Sequence, residues 1–571
     1  MAMAVITQLR VSYLTNTLPP RKSWTSTYHS WNLSLPSSKS RIMHSKLSIT
    51  SIALNDNKLP HLQKEDKTRS LDQVKRRSRE ALLNSSDPIE TMKMIDSIQG
   101  LGISHHLEDE INMQLERICD WDASTNLFAT SLQFRLLRHN GWPTSSDIFR
   151  NFLDKSGNFK ESLNKDVWGM LSLYEASYLG TEDEEILKKA FEFSRTHLNE
   201  FISHKSPEIG YRHIVRSLTL PKHLRMARLE ARNYMDEYSH ASNQIPALLE
   251  LAKLDSDMIQ SLHQTELAEI CRWWKELGLV DRLGFARDRP TECFLWTVGI
   301  FPEPRDSNCR IELTKTICIL LVMDDVFDTY GKFDELVLFT KAIKRWDLDA
   351  VEDLPEYMKI CYMALYNTTH EIAYRIQKDH GLTAVAYLKR TWIDIFEAFL
   401  EEAKWFNSGC VPNYKTYLDN GVISAGSCMA LVHATFLIGD GLSKKTISMM
   451  KTYPRLFTCS GEILRLWDDL GTSTEEQERG DNASSIQCFM GENNIIDENE
   501  GRKRIRLVIR NLWRELNGLA MNKTVPLSVV KASLNMARTA QVIYQHGDDK
   551  STFTVDDYVQ TLIFTSLPSN H

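Results

Sequence analysis

The sequence predicts an all-α protein, and three observations support this fold class. From Asp56 onward, apolar residues recur at three- and four-residue steps, as in DEEILKKAFEFSRTHLNEFI at 183–202. The alternating apolar and polar pattern of half-buried strands is scarce. Prolines and clusters of Gly, Asn and Asp separate the periodic runs, at 86–88, 142–146, 205–210, 302–308 and 479–485. We therefore expect many helices of roughly ten to twenty residues.

The length of the chain predicts two domains, because 571 residues exceed what one ordinary hydrophobic core accommodates. A polar, proline-containing stretch at 236–255 separates two helical blocks and marks a soft boundary. We expect an N-terminal helical domain at 56–245 and a C-terminal domain at 246–571. The motifs suited to chemistry lie in the second half, so the C-terminal domain is expected to be catalytic.

The first 55 residues differ from the rest of the chain. They contain no Asp or Glu, six Lys or Arg, and seventeen Ser or Thr. An acid-free, hydroxyl-rich, basic leader is typical of an organelle transit peptide. We assign residues 1–55 to a transit peptide and expect a plastid (chloroplast) location. The alternative is a disordered tail without a targeting function, which would leave the protein in the cytoplasm.

Composition and charge exclude several classes of protein. The formal net charge is −7, and the longest basic block is KRRSR at 75–79, so a nucleic-acid partner is not expected. The ten cysteines form no CxxC pair, which favours reduced thiols over a disulfide framework or a zinc site. The longest unbroken apolar run near the acidic residues, ICILLVM at 317–323, is too short to span a membrane.

A first acidic motif lies in LVMDDVFDTYG at 321–331. On an α-helix, Asp324 and Asp328 share one face because they are four residues apart, and Asp325 lies about 100° around the axis. Clustered carboxylates suit a hard cation such as Mg²⁺, which keeps several waters and prefers to share a phosphate. A solvated acidic face is the alternative, although an apolar run precedes these residues.

A second motif lies in RLWDDLGTSTEEQERGD at 465–481. Asp468, Thr472 and Glu476 fall at i, i+4 and i+8 and form one stripe, which is a plausible Mg²⁺ ligand set, whereas Asp469 points elsewhere. Arg465 precedes Asp468 by three residues and could hold an anion beside the metal. Taken alone, this motif could be an exposed acidic helix end. Two facing acidic stripes would instead clamp a metal cluster, and a diphosphate fits as the shared anionic ligand.

The two motifs together resemble the aspartate-rich and NSE/DTE motifs of class I plant terpene synthases. The likeness extends through RDRPTECFLWTVGIFPEP at 287–304, RGDNASSIQCFM at 479–490 and VIYQHGDD at 542–549. It reaches the first half at LGISHHLEDEI, 101–111, and covers nearly the whole chain after the leader. The resemblance implies two helical barrels: a C-terminal catalytic domain with the class I terpenoid synthase fold and a vestigial N-terminal helical domain.

The resemblance also implies the cofactor and its ligands. It implies three Mg²⁺ ions, for which Mn²⁺ sometimes substitutes, that hold and ionise a prenyl diphosphate. The two acidic motifs would form opposite walls of the active site, the first wall from 321–331 and the second wall from 465–481. Asp324 and Asp328 are the direct ligands expected on the first wall, with Asp325 beside them. Asp468, Thr472 and Glu476 would hold the third ion on the second wall. No DxDD motif occurs in the first half, so protonation-initiated cyclisation is not expected.

Further residues acquire roles through the same resemblance. Arg287 and Arg289 resemble the RxR pair that takes the departing diphosphate, and Arg465 resembles the arginine that contacts it from the second wall. Trp296 resembles the tryptophan at the pocket floor, although a buried core residue is the alternative. Tyr544 resembles a pocket tyrosine.

Other matches to the family are open to more than one interpretation. Asp549 falls in the loop that closes over the pocket. NGVISAGSCM at 420–429 resembles a helix break whose carbonyls, near Ser424, Ala425 and Gly426, point at the cation, and a close helix crossing is the alternative. His105, His106 and His546 are interpreted as structural histidines rather than catalytic bases.

The product class rests on a motif that is missing. Cyclising monoterpene synthases carry RRx₈W, but Arg76-Arg77 is followed eight residues later by Ser86, and Arg21-Lys22 with Trp31 lies inside the leader. This absence resembles the subfamily that makes acyclic products. We therefore expect geranyl diphosphate to be converted to linalool, with myrcene or ocimene as alternatives by deprotonation. A cytosolic protein would make nerolidol from farnesyl diphosphate instead.

Two other classes of protein remain as alternatives. A prenyltransferase would carry two DDxxD motifs, whereas this sequence has one. A helical scaffold with solvated acidic faces would need neither metal nor diphosphate. We expect the protein to be a monomer.

Overall fold

A computed structural model describes residues 61–203, 210–478, 483–522, 524–546 and 555–566. Within these ranges the regular structure is helical, and the only strand-like pairing is an isolated bridge between Leu153 and Phe159. The predicted all-α fold class is therefore confirmed. The predicted transit peptide at 1–55 and Asp549 lie outside the described residues.

The described residues form the following α-helices. They are α1 His61–Leu83, α2 Pro88–Gly100, α3 Glu108–Cys119, α4 Leu127–His139, α5 Val167–Ser177, α6 Glu185–Ser203, α7 Gly210–Thr219, α8 Ala227–Ser239, α9 Pro246–Leu277, α10 Leu279–Arg282, α11 Pro290–Ile300, α12 Ser307–Asp325, α13 Phe333–Arg345, α14 Glu356–His380, α15 Val385–Ser408, α16 Tyr414–Ser424, α17 Ser427–Ile438, α18 Lys444–Met449, α19 Arg455–Glu478, α20 Ser485–Asn493, α21 Glu498–Met521, α22 Leu527–Tyr544 and α23 Val555–Val559. Short 3₁₀ turns lie at Ser104–His106, Ser146–Phe152, Glu161–Lys165, Lys222–Leu224, Pro304–Asp306 and Leu348–Val351, and π-helical turns at Val326–Tyr330 and Gln560–Phe564.

Local sequence sets where the helices of the second half begin and end. Pro290 occupies the first turn of α11, where its missing N–H costs nothing. Asn413 caps α16 because its side chain accepts a hydrogen bond from the backbone N–H of Thr416. Gly278 ends α9 and Gly381 ends α14, each with a positive φ that glycine adopts without strain.

Two large buried clusters form the interior. One, in the first half, joins residues of α4 to α7, with Phe134, Phe149 and Tyr174 among its aromatic members. The other, in the second half, is built around α12, whose residues from Cys309 to Asp325 are all buried. Chain contacts group Val74–His571 into one compact unit; of the other, Thr7–Gln73, the described part is the start of α1. The domain boundary near residue 245 stays a prediction.

One segment meets the length and hydropathy criteria for a membrane span. Among the described residues it is Tyr414–Ile438, which contains α16 and α17, with a mean hydropathy of 1.7 over its best window. Of that window, 89% is buried inside the protein, as is usual for a core helix. Its apolar character is therefore used for packing against neighbouring helices.

A buried charge cluster joins the 3₁₀ turn Ser104–His106 to α8 and α9. The Nε2 atoms of His105 and His106 lie 3.0 and 2.7 Å from Asp255 Oδ1. Arg228 Nη1 lies 3.4 Å from Asp255 Oδ2. The side chains of His105, His106 and Asp255 could present ligand atoms to a metal, but each histidine is already paired with the carboxylate. The contacts agree with a structural role for His105 and His106.

Replacing Asp255 by alanine is expected to destabilise the protein strongly. The change leaves the buried guanidinium of Arg228 without its nearest carboxylate, which typically costs about 3–5 kcal/mol. Urea unfolding followed by circular dichroism measures the loss. Asp257→Ala is the matched control, because Asp257 lies on the same helix with its side chain exposed. Equal unfolding free energies for the two variants would contradict the prediction.

Candidate active site

The first acidic motif lies at the buried C-terminal end of α12. Asp324 and Asp325 are 3% and 6% exposed. Arg287 pairs with both: its Nη2 donates to Asp324 Oδ2 at 2.5 Å, and its Nε lies 2.6 Å from Asp325 Oδ1. The backbone N–H of Arg287 also donates to Asp325 Oδ2 at 2.9 Å. Arg287 therefore supplies the positive charge that three clustered carboxylates require.

Asp328 does not continue the α-helix that the sequence predicts. It lies in the π-helical turn Val326–Tyr330, and its side chain is exposed. The turn is closed by a hydrogen bond from the Gly331 N–H to the Val326 carbonyl, at 2.7 Å. A Cβ at Gly331 would stand 2.7 Å from that carbonyl oxygen, so glycine permits the wider turn. The π turn places one exposed carboxylate after two buried ones.

The second motif lies in the middle of α19. Asp468 and Arg465 are fully buried, and Thr472 is 1% exposed. Arg465 Nη1 lies 3.5 Å from Asp468 Oδ2. The Thr472 hydroxyl donates to the Asp468 carbonyl at 2.9 Å, one turn back along the helix. The side chain of Glu476 lies outside the described residues.

Asp469 anchors the second wall. Its Oδ1 lies 2.5 Å from Arg465 Nη2 and accepts a hydrogen bond from the Tyr417 hydroxyl at 3.1 Å. Its Oδ2 accepts from the backbone N–H of Ser485 at 2.8 Å. These contacts agree with the expectation that Asp469 points away from the ligand stripe.

Both walls border one apolar cavity. Leu320 of α12 and Leu464 of α19 line it together, and Asp324 and Asp468 each follow one helical turn later. Because residues four apart share a face, each carboxylate continues the face that borders the cavity. One cavity is therefore bordered by both of the helices that carry the acidic motifs.

The space between atoms in this region is about 300 Å³, part of which is open to solvent. It is lined by Trp296, Ile300, Ile317, Leu320, Ala425, Gly426, Ser427, Met429, Ala430, Leu464 and Met536. The rings of Trp296 and Tyr544 have centroids 5.9 Å apart, and both residues are buried. Trp296 therefore lines the cavity, and its role as the pocket tryptophan stays a prediction.

The predicted helix break is present and lines the cavity. Helix α16 ends at Ser424, α17 begins at Ser427, and Gly426 between them has a φ of 75°. A Cβ at Gly426 would stand 2.5 Å from Leu320 Cδ2. The alternative of a close helix crossing also holds here, because the break approaches α12.

The two arginines of the RxR pair have different surroundings. Arg287 pairs with Asp324 and Asp325 of the first acidic motif. Arg289 instead precedes α11, and its Nη1 donates to Glu292 Oε1 at 2.9 Å. Arg289 remains 15% exposed in its side chain. Of the pair, Arg287 is the residue that the described contacts join to the acidic motif.

The buried polar atoms of the second wall fit a cation and an anion. Neither Asp468 oxygen accepts a hydrogen bond of normal geometry from the described residues, although the Tyr544 hydroxyl is close enough to favour the ionised form. Arg465 Nε and Nη1 likewise have no hydrogen-bond acceptor among those residues. A buried carboxylate with free oxygens suits Mg²⁺, and a guanidinium with free N–H groups suits phosphate oxygens.

The metal-free site is expected to respond to pH. Burial raises the pKa of Asp325 and of Asp468 to about 7, with help from neighbouring carboxylates and against the charges of Arg287 and Arg465. The folded state then binds more protons than the unfolded chain between about pH 4 and pH 7, so the free energy of unfolding falls as pH rises through that range.

Mg²⁺ competes with these protons. We expect the increase in Tm caused by Mg²⁺ and pyrophosphate to grow between about pH 5 and pH 8, because metal ligands must be deprotonated. Thermal unfolding at several pH values, with and without the ions, measures the difference. An increase in Tm that does not depend on pH would contradict the prediction.

Gly426→Ala is expected to destabilise the protein and disturb the cavity. The variant combines a positive φ with a Cβ too close to Leu320, which together cost about 2–4 kcal/mol. Gly381→Ala is the matched control, because Gly381 has a φ of 68° but nothing within 4 Å of an added Cβ. Thermal unfolding and activity assays compare the two. Equal effects would show that the contact with Leu320 is unimportant.

Sequence reasoning missed Glu402. It lies on α15, is 7% exposed, and accepts a hydrogen bond from the Ser424 hydroxyl at 2.6 Å. Its neighbour Glu401 is identical in type but only half-buried, and no local spacing distinguishes the two. Only the packing of α15 against α16 brings Glu402 to the site.

The chain matches known proteins over most of its length. Residues 46–218 match the family described as "Terpene synthase, N-terminal domain", and residues 275–515 match "Terpene synthase family, metal binding domain". It is 62% identical over 495 residues to a probable terpene synthase of Ricinus communis, with 86% of each chain covered.

Two chloroplastic enzymes of Ocimum basilicum are also similar. A geraniol synthase is 51% identical, with 88% of each chain covered, and an R-linalool synthase is 49% identical, with 85% of each covered. Among solved structures, the isoprene synthase of grey poplar, in complex with three Mg²⁺ ions and dimethylallyl-S-thiolodiphosphate, gives a TM-score of 0.83. It is 35% identical, and the match covers 88% of this chain and 98% of that one.

Proposed function

The chain belongs to the terpene synthase family, and on this basis we propose that it converts geranyl diphosphate to an acyclic monoterpene, with linalool as the main product. As a member of the family it is a lyase that acts on a prenyl diphosphate. The observation that supports the more specific proposal is one apolar cavity lined from both helices that carry the acidic motifs, by Leu320 of α12 and Leu464 of α19.

The residues of the two walls have distinct tasks in the proposed reaction. Asp324 and Asp328 on one wall and Asp468, Thr472 and Glu476 on the other would hold three Mg²⁺ ions. The chemistry supplied by bound Mg²⁺ is Lewis-acid activation of the departing diphosphate. Arg287 and Arg465 would add fixed positive charge where the leaving group becomes more anionic, and Arg289, the other member of the RxR pair, would also contact the departing diphosphate.

The cavity would protect the allylic cation after the C–O bond breaks. Its lining is apolar apart from Ser427, so water is largely excluded from the hydrocarbon end. The aromatic faces of Trp296 and Tyr544 would stabilise the positive charge by roughly 0.5–2 kcal/mol each. The backbone of the break at Ala425 and Gly426 adds polar groups beside the same space.

An acyclic alcohol is the favoured product class. The missing RRx₈W motif and the similarity to geraniol and R-linalool synthases support it. Capture of the same cation by water at one end of the allyl unit gives linalool, and capture at the other end gives geraniol. Deprotonation would give myrcene or ocimene, and farnesyl diphosphate would give nerolidol.

We propose that the protein acts in the plastid, as a monomer. The acid-free leader and the chloroplastic relatives support this location. The leader at 1–55 would be removed, which leaves the N-terminal helical domain at 56–245 and the catalytic domain at 246–571. Expression of residues 1–55 fused to a fluorescent protein tests the location, and a cytosolic signal would contradict it.

The proposed activity is tested by incubation with geranyl and farnesyl diphosphates in the presence of Mg²⁺, Mn²⁺ or EDTA. Chiral gas chromatography with mass spectrometry identifies the products. We expect linalool from geranyl diphosphate with Mg²⁺ and none with EDTA. Exclusively cyclic products would overturn the acyclic proposal. Turnover of farnesyl diphosphate alone would show that this compound, and not geranyl diphosphate, is the substrate.

A further inference from the structure

Glu402 is a buried carboxylate that the chemistry described above does not use. It projects from α15 toward the last turn of α16, where its Oε1 accepts hydrogen bonds from the Ser424 hydroxyl at 2.6 Å and from Asn420 Nδ2 at 3.2 Å. Asn420 Nδ2 also donates to the Ala398 carbonyl at 3.1 Å. A single carboxylate oxygen thus ties the end of α16 to α15.

The other oxygen, Oε2, is buried without a hydrogen-bond partner among the described residues. An unsatisfied buried carboxylate oxygen typically costs several times the net value of one hydrogen bond. Burial raises the pKa of Glu402, and the charge of Arg465 and the hydrogen bond from Ser424 oppose that rise.

The segment that Glu402 holds is part of the cavity wall. Ser424 is the last residue of α16, and Ala425 and Gly426, which follow it, line the cavity. The same turn packs on the second motif, because a Cβ at Gly421 would stand 3.1 Å from Arg465 Cγ and Cδ. The position of this turn therefore sets both the backbone of the break and the space around Arg465.

We infer that Glu402 is a positioning residue that fixes the α16–α17 break through Ser424 and thereby determines how the allylic cation is quenched. The ordinary alternative is a carboxylate that stabilises helix packing without influence on the reaction. The two differ in outcome: a positioning role changes the ratio of products, whereas a packing role changes stability alone. The inference rests on the proposed function, since it concerns the fate of the cation.

The test compares Glu402→Gln, Ser424→Ala and the double variant with the wild-type chain. Glu401→Gln is the matched control, because Glu401 is the adjacent, partly exposed residue whose Oε2 pairs with Lys404. Product ratios are measured by gas chromatography, together with kcat and KM. Amide hydrogen exchange at 421–427 is measured without substrate, and the increase in Tm with Mg²⁺ and pyrophosphate reports on the metal–diphosphate site.

We expect each single variant to change the ratio of alcohol to hydrocarbon by about threefold or more, mainly through kcat, because the change acts after binding. Exchange at 421–427 should become faster, and the increase in Tm with Mg²⁺ and pyrophosphate should stay close to that of Glu401→Gln. The double variant should change the ratio no more than the larger single variant, because Glu402→Gln weakens and Ser424→Ala removes the same hydrogen bond.

Three results would overturn the inference. The first is a product ratio in Glu402→Gln and Ser424→Ala equal to that of Glu401→Gln. The second is loss of the Mg²⁺–pyrophosphate effect in Glu402→Gln, which would place Glu402 among the metal-site residues. The third is unchanged hydrogen exchange at 421–427, which can be measured even on an inactive protein. A wild-type chain that makes no terpene contradicts the proposed function, so the two failures are distinguishable.

Discussion

Replacing Asp324 by asparagine is expected to lower kcat/KM by about a hundred- to a thousandfold. Asparagine keeps the shape of the side chain but removes the negative charge that a metal ligand needs. The same change removes the charged partner of Arg287 Nη2, which lies 2.5 Å away. Steady-state assays with geranyl diphosphate and Mg²⁺ measure the loss of activity. A parallel thermal unfolding experiment is expected to show a reduced increase in Tm with Mg²⁺ and pyrophosphate.

Asp353→Asn is the matched control for this variant. Asp353 is an exposed aspartate of the same domain, and its replacement should leave both measurements unchanged. Activity of Asp324→Asn within about threefold of wild type would mean that the first motif is not a metal wall. Asp324 and Asp325 would then be buried ion-pair partners of Arg287 without a role in metal binding.

Replacing Arg465 by lysine is expected to lower kcat/KM by about a hundredfold and the stability by about 1–3 kcal/mol. The guanidinium is fully buried and does two things at once. Its Nη2 lies 2.5 Å from Asp469 Oδ1 and donates to the Tyr417 hydroxyl at 2.6 Å. Its Nε and Nη1 have no hydrogen-bond acceptor among the described residues and are expected to meet a diphosphate. Lysine retains the positive charge but cannot contact both the Asp469–Tyr417 pair and a diphosphate, because it lacks the planar, forked guanidinium group.

Arg455→Lys is the control on the same helix, because Arg455 is paired with Glu462 and Glu515 and is 41% exposed. Its replacement should change stability by less than about 1 kcal/mol and leave activity intact. Chemical unfolding and steady-state kinetics separate the two effects of Arg465→Lys. A loss of stability without a loss of activity would make Arg465 an anchor for Asp469 and nothing more.

Glycines let the helices of the site approach closely. A Cβ at Gly471 would stand 3.2 Å from atoms of Tyr544, and one at Gly461 would stand 2.3 Å from the Ser427 hydroxyl. Each of these two glycines inside α19 costs roughly 1 kcal/mol in helix propensity. Close packing of α19 on α22 and on the break accounts for their presence, because larger residues would push the second motif away from the cavity.

Local chemistry was sufficient to predict the helical fold class and to place Asp468 and Thr472 one turn apart on one helix. Apolar periodicity reports directly on helices, and a spacing of four residues places side chains on one face as long as the α-helix continues. Spacing therefore indicated Asp468 and Thr472 as candidate ligands, but it did not predict the π turn at Asp328. The break at Ser424–Gly426 was also visible, because small residues interrupt a helical run.

Tertiary structure alone decided the features that join distant parts of the chain. Glu402 meets Ser424 across 22 positions, and Arg465 meets Tyr417 across 48. Spacing also did not predict the π turn that separates Asp328 from Asp324, or the local pairing of Arg289 with Glu292 in place of the acidic motif. The physical reason is that a helix repeats its own geometry residue by residue, whereas the partner of a buried charge is set by which helix faces it.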